Sequence, residues 1–335
     1  MKINLSLSLA ALFLLLFSVR TSLAQTHSIA WQNSFDEDFV KKQQIGFSSD
    51  SKYLAMGYDK GSVRVFTADS GFVVRLYTPH MYHVFCTCFR PGTTQIASGD
   101  RKGNLVLYDF AAGKELWRAK AHDKAVTAMC FSGDGKLLIT GSKDRRLQVW
   151  DATTGALVKT IWYKKGNKVQ SLYLEHDGRT VIAGITAVTR GLRMFDMGSG
   201  VETENYEIGN LEHFDVAPDG ISMVIGSLHR KIYLFNLKKR SITKTLKGHK
   251  RWTTDVCYNN TGRVMFTASN DNKVFAWLAD GRKHMPLLKI NRDVDGVKCS
   301  PDGKYLAILG ENSKLTVMNV ASIEDEIAAY VEPAK

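Results

Sequence analysis

Residues 121–151 read AHDKAVTAMCFSGDGKLLITGSKDRRLQVWD. Phe131 closes an apolar run and is followed by a Ser-Gly-Asp-Gly turn. Ten residues on stands Gly141, and nineteen on stands Trp150, at the end of the alternating run Leu147-Gln148-Val149-Trp150. Short alternating runs separated by Gly/Asp turns are the signature of β-strands half-covered on each face.

The same pattern recurs in both directions along the chain. An apolar residue before a Gly/Asp/Pro/Asn turn stands at Phe47, Phe89, Phe131, Leu174, Val216, Tyr258 and Cys299, spaced by 42, 42, 43, 42, 42 and 41 residues. Ten past each landmark lies Gly57, Gly99, Gly141, Gly184, Gly226 or Ala268, with Leu309 in the last unit. Nineteen past it lies a large side chain: Phe66, Tyr108, Trp150, Phe235, Trp277 or Met318, with Phe195 displaced by an insertion around Ile185 to Arg190. Four strands of about six residues with tight turns fill one such period, which is one propeller blade. The expected fold is therefore all-β, a seven-bladed β-propeller of four-stranded antiparallel blades over residues 25–320.

Here the resemblance to the WD-repeat family becomes specific. Its Trp-Asp pair stands as Trp150-Asp151, with relatives Tyr108-Asp109, Phe195-Asp196 and Phe235-Asn236; its Gly-His pair stands as Gly248-His249, with Ala121-His122 and Pro79-His80 as variants. The resemblance implies a structural hydrogen-bonded set of histidine, hydroxyl, aspartate and tryptophan. Two units keep it by position: His122, Ser142 (or Thr140), Asp144 and Trp150, and His249, Ser269 (or Thr267), Asp271 and Trp277. The second unit has Lys102 and the fifth His229 at the turn aspartate, so apolar packing is expected to hold those blades. An open last blade would expose strand backbone. His27 to Asn33 is expected to seal it, since Ser322 to Glu326 reads as a capped helical turn within a 321–335 tail.

The first residues carry a different signal. Lys2, the apolar run Leu5 to Val19 and the small residues Ser22-Leu23-Ala24 resemble a cleaved signal peptide, 1–24, too short for the roughly 20-residue span of a membrane. Export to a periplasm, the exterior or a secretory lumen is the expectation, with no transmembrane segment after cleavage. The formal charge is +12, and loss of Lys2 and Arg20 leaves it at about +10. The partner expected from that charge is an acidic protein or peptide, with an acidic glycan or anionic surface as alternatives; export disfavours nucleic acid.

The resemblance implies that the innermost strand of each blade lines a central channel. Three residues before each landmark the inner strands give the ring Gln44, Cys86, Ala128, Ser171, His213, Asp255 and Gly296. A channel enzyme or metal-dependent hydrolase would have to use His213 and Asp255, with Asp215 and Asp295 nearby, and one polar pair is a thin basis for catalysis. His80, His83, Cys86 and Cys88 do not converge on a tetrahedral metal site from one extended strand. The five cysteines, Cys86, Cys88, Cys130, Cys257 and Cys299, form no paired framework and are expected to be buried free thiols. Asn259-Asn260-Thr261 is a glycosylation acceptor sequence in an expected surface turn. No cofactor or metal is expected.

The remaining signal is charge. The resemblance implies that loops leading into inner strands and turns between second and third strands share one face of the disc, and here they are rich in Lys and Arg with few acids. The expected reading is a non-enzymatic scaffold. It binds through a basic top face of Tyr82, Arg101, Lys124, Arg145, Lys168, Arg251, Trp252, Lys273 and Arg292. Tyr163 is expected to add a further aromatic there.

Overall fold

Tight turns can join only antiparallel neighbours, so each repeat pairs with itself and becomes one sheet. The computed structural model describes residues 28–34, 44–163, 168–186, 191–310 and 314–331; the expected leader, with Lys164, Lys165 and Arg190, lies outside them. The strands, β1 (Ile29–Ser34) to β28 (Lys314–Asn319) in chain order, form seven four-stranded antiparallel sheets. The chain is an all-β, seven-bladed propeller. Blades 1 to 6 are each four consecutive strands starting at β2 (Gly46–Phe47), and blade 7 is β26 (Val294–Cys299), β27 (Tyr305–Gly310), β28 and β1.

Burial follows from blade stacking. A middle strand is covered on both faces, and β23 (Val264–Ser269) is buried at all six positions. An outer strand is not: in β21 (Ser241–Lys247) only Leu246 is buried, and Lys244 and Lys247 keep that edge charged, which discourages pairing with another chain. Six blades carry a β-bulge at the same place in the inner strand, as between Val126 and Ala128 and between Thr253 and Asp255. The bulged residue reaches across to the next blade: Thr127 Oγ1 donates to the Val169 carbonyl at 2.7 Å and Thr254 Oγ1 to the Val294 carbonyl at 2.6 Å.

The ring closes through β1, antiparallel to β28 from Ile29 opposite Met318 to Ser34 opposite Lys314. Trp31 Nε1 donates to the Ala68 carbonyl of blade 1 at 2.8 Å. Its ring lies where a Cβ on Gly71 would stand, 2.5 Å away, and Gly71 has φ 69°. Trp117 repeats the device between blades 2 and 3, donating to the Ala152 carbonyl at 3.0 Å.

Two local expectations are corrected. The Ser322 turn is a seven-residue helix, α1 (Ile323–Ala329), whose Ser322 hydroxyl donates to the Glu326 carboxylate at 2.9 Å instead of capping a backbone N–H. Ile323 and Ile327 bury it against blades 6 and 7. Asn259 is buried, not displayed: its Oδ1 accepts from the Val264 N–H and the Thr261 hydroxyl, both at 3.1 Å. No helix of the described residues is long and apolar enough to cross a membrane.

Candidate functional site

Antiparallel register decides which residues share a face. In blade 3 Val126 lies opposite Ser142, Gly141 opposite Leu147 and Arg146 opposite Trp162. The loop before the first strand, the turn between the second and third, and the end of the fourth therefore meet at one end of the blade, and the seven ends make the top face. Of the nine residues expected there, Tyr82, Arg101, Lys124, Arg145, Arg251, Trp252 and Arg292 are exposed, while Lys168 and Lys273 are half-buried. Lys273 Nζ stands 5.8 Å over the Phe275 ring and Lys102 Nζ 5.4 Å over Tyr82. Tyr163 is a correction: it is buried, with its hydroxyl donating to the Ser142 carbonyl at 3.2 Å. The residue before it, Trp162, stands in solvent at the end of its strand, 5.0 Å from the Arg146 guanidinium. Strand alternation turns 162 outward when 163 points inward, and that parity was the signal available.

The structure brings Arg251 and Trp252 together with His229, Arg230, Lys250 and Asn270 around a cavity of about 450 Å³ between blades 5 and 6. The other expected residues are distributed one or two to a blade. Arg145 and Arg230 occupy the same turn position and both have left-handed backbone, φ 69° and 63°. Blades 1, 2 and 6 have Gly61, Gly103 and Asn272 there. A side chain at that φ costs roughly 1–2 kcal/mol relative to glycine. Arg145→Gly is therefore expected to raise stability by about 0.5–1 kcal/mol, the glycine entropy offsetting part of the relief. Urea unfolding measures it; a loss of stability would mean that the guanidinium makes a contact the backbone reading omits.

Beneath this face lie the hydrogen-bonded sets. In blade 3 a carboxylate oxygen of Asp144 is 3.0 Å from His122 Nδ1, His122 Nε2 is 2.9 Å from Thr140 Oγ1, and Trp150 Nε1 donates to the same oxygen at 3.1 Å. In blade 6 the corresponding distances for His249, Asp271, Thr267 and Trp277 are 3.2, 2.8 and 2.9 Å. The hydroxyl at the node is the threonine. Ser142 and Ser269, two residues further on, instead accept the N–H of Asp144 and Asp271 at 3.1 Å and hold the turn, because strand alternation carries Thr140 and Ser142 to successive positions along one side.

Blade 2 is not held by apolar packing alone. His80 Nε2 lies 2.8 Å from Ser98 Oγ, and Asp100 stands 3.3 Å from His80 Nδ1. Asp100 occupies the place of Ser142. Its longer side chain reaches the histidine and also accepts the N–H groups of Lys102 and Asn104 at 2.8 and 2.9 Å. Tyr108, in the tryptophan position, stacks on Tyr77 with centroids 3.8 Å apart.

Burial raises the carboxyls of Asp100, Asp144 and Asp271, but hydrogen bonds from the histidines and turn groups outweigh it and all three sit below the usual carboxylate range. A folded-state value depressed below the unfolded one gives stability that is complete above the unfolded value, about 3.9, and is lost as pH falls through the folded value. Unfolding free energy is therefore expected to decline steadily below about pH 4. Asp144→Asn combined with Asp271→Asn should flatten that decline; an unaltered slope would exclude these carboxylates as its source.

The channel cavity holds about 280 Å³, and His213, Asp215, Asp255 and Lys298 line one side of it. Asp255 accepts the Val297 N–H at 3.0 Å and the Val256 N–H at 2.9 Å, and its Oδ1 is 3.4 Å from His213 Nδ1. Asp215 accepts the Tyr258 N–H at 2.8 Å and faces Lys298 Nζ at 3.4 Å. Gln44 and Ser171 accept the Met129 and Phe214 N–H groups in the same way, both at 3.3 Å. These side chains cap the free backbone edges of neighbouring inner strands, which is a structural task. Asp295 is buried and does not line the cavity. No three metal-ligating side chains converge among the described residues. Cys86, Cys257 and Cys299 are buried as expected of core thiols, whereas Cys88 and Cys130 line the channel. Burial still raises the Cys88 thiol to about 11, so it stays protonated at neutral pH.

Seven blades around a channel lined by structural side chains define a protein of the β-propeller class. The family described as WD domain, G-beta repeat matches residues 113–151 and 240–277, so those two stretches are similar to its repeats. Periodic tryptophan protein 2 of Saccharomyces cerevisiae is 20% identical over 87% of the chain and 32% of its own length. WD repeat-containing protein 55 of Bos taurus is 26% identical over 58% of the chain and 51% of its own length. U3 small nucleolar RNA-associated protein 15 homolog of Gallus gallus is 22% identical over 81% of the chain and 44% of its own length. The chain thus spans from about a third to about half of these relatives. They correct the expectation of export: a small nucleolar association points to the nucleus, not to a secretory route.

Proposed function

We propose that the chain is a non-enzymatic protein-interaction scaffold that engages an acidic partner through its top face. The observation that carries this reading is the set of cations and indoles, most of them exposed, at one end of the blades, with Arg145 and Arg230 kept on left-handed backbone where glycine or asparagine serves elsewhere. Strain retained at an exposed turn argues for the side chain's use outside the fold. A rigid ring presents such loops already ordered, which lowers the entropy lost on binding. One relative is named for association with a small nucleolar RNA, so the partner belongs among acidic proteins of nuclear ribonucleoprotein assemblies. The test is capture from a nuclear extract by the full chain beside a variant with Arg145, Arg251 and Trp252 changed to alanine. Loss of the same acidic protein from the variant, at unchanged melting temperature, supports the reading. An identical captured set from both proteins contradicts it.

A further inference from the structure

We infer that the cavity between blades 5 and 6 binds one nucleotide of a single-stranded nucleic acid, its base stacked on Trp252 and its phosphate held by Arg230 and Arg251. This goes beyond the scaffold reading: it shares Arg230, Arg251 and Trp252 with that face and adds the cavity they line and the class of ligand it takes. The cavity, about 450 Å³, falls within the roughly 300–1,000 Å³ of small-ligand sites. Its turn side brings His229 and Arg230 and its loop side Lys250, Arg251 and Trp252, and none of its lining residues is acidic. Trp252 is 51% exposed, which leaves indole surface open to a base beside the cations.

The combination discriminates between ligands. A carboxylate from an acidic peptide satisfies the cations and leaves the indole bare. A nucleotide uses both, since its base has a π-face to stack and its phosphate accepts a guanidinium fork. The neighbouring acid does not spoil the field. Asp271, one residue beyond Asn270, is turned into the hydrogen-bonded set, accepting the Lys250 N–H at 2.7 Å and lying 3.2 Å from His249 Nδ1. No described carboxylate pairs with Arg230, Lys250 or Arg251, so their charge remains available to a ligand. The left-handed φ of Arg230 is a second sign that this side chain is retained for a contact.

Fluorescence anisotropy of a dye-labelled oligoriboadenylate, titrated with the full chain at low salt, tests the site. Trp252→Ala should weaken binding about tenfold and Trp252→Phe, which keeps a ring to stack on, by much less. Arg230→Gly should weaken binding severalfold while melting no lower than the parent, because glycine suits that backbone. The single-stranded deoxy oligomer reports whether the 2′-hydroxyl contributes, and a duplex of the same length, whose base faces are covered, should bind at least tenfold less tightly. Absence of binding overturns the proposal. So does binding indifferent to Trp252→Ala, or polyglutamate displacing the oligomer at equal charge concentration. If the oligomer binds as described but no protein is captured, the scaffold reading fails and the nucleotide site stands; if the reverse holds, only the nucleotide site fails.

Discussion

Trp31→Ala should destabilise the protein by about 3–5 kcal/mol, in the range of large-to-small changes at a packed aromatic. The indole is the joint between the first described strand and the first blade. It donates to the Ala68 carbonyl, stands 6.0 Å from the Phe66 ring and fills the space above Gly71. No other blade depends on a strand so distant in sequence, since β1 pairs with residues 314–318. Losing the joint also frees an outer strand, so the variant should unfold at lower urea and expose the edge of β28 to aggregation. Chemical unfolding followed by circular dichroism measures the shift. A loss below about 1 kcal/mol would mean that the ladder of β1 closes the ring without its tryptophan.

Thr267→Val should cost about 2–4 kcal/mol, and Ser269→Ala about 1 or less. Both side chains are buried and near neighbours, but their duties differ. Thr267 Oγ1 is the partner of both the Trp277 indole N–H and His249 Nε2. Valine keeps the shape and strands two buried polar groups. Ser269 serves the turn, accepting the N–H of Asp271 and hydrogen-bonding its carboxylate, and touches neither the indole nor the histidine node. Equal losses from the two variants would remove the threonine from the centre of the set. The same comparison at Thr140 and Ser142 should give the same order.

The architecture was legible because period is a one-dimensional property. Seven landmarks at intervals of 41 to 43 residues dictate seven equal units whatever the side chains between them. Side-chain duties within a blade were less legible. Asp100 was passed over because the expected aspartate lies two residues later, yet two residues along a strand return to the same side, and the carboxylate reaches the histidine from either place. Tyr163 was misplaced for the opposite reason, since one residue of parity moves a side chain from solvent to core, and it is Trp162 that stands outside. The channel carboxylates looked like candidates for chemistry because a sequence does not display which backbone N–H groups lack partners. Asp215 and Asp255 are spent on such groups from blades adjacent in space and some 40 residues away in sequence. The cavity between blades 5 and 6 arises from two segments that only the register brings together. The expectation of export rested on the local composition of the leader alone, and the relatives point to the nucleus instead.

The top face is the centre of this account, and site-specific photo-crosslinking tests it most directly. A benzophenone side chain replaces Tyr82 on the top face in one protein and Phe72, exposed on the opposite rim, in another. After irradiation in a nuclear extract, adducts are identified by mass spectrometry. A defined protein adduct is expected from position 82 and none from position 72; adducts from position 72 alone would contradict a top-face interface.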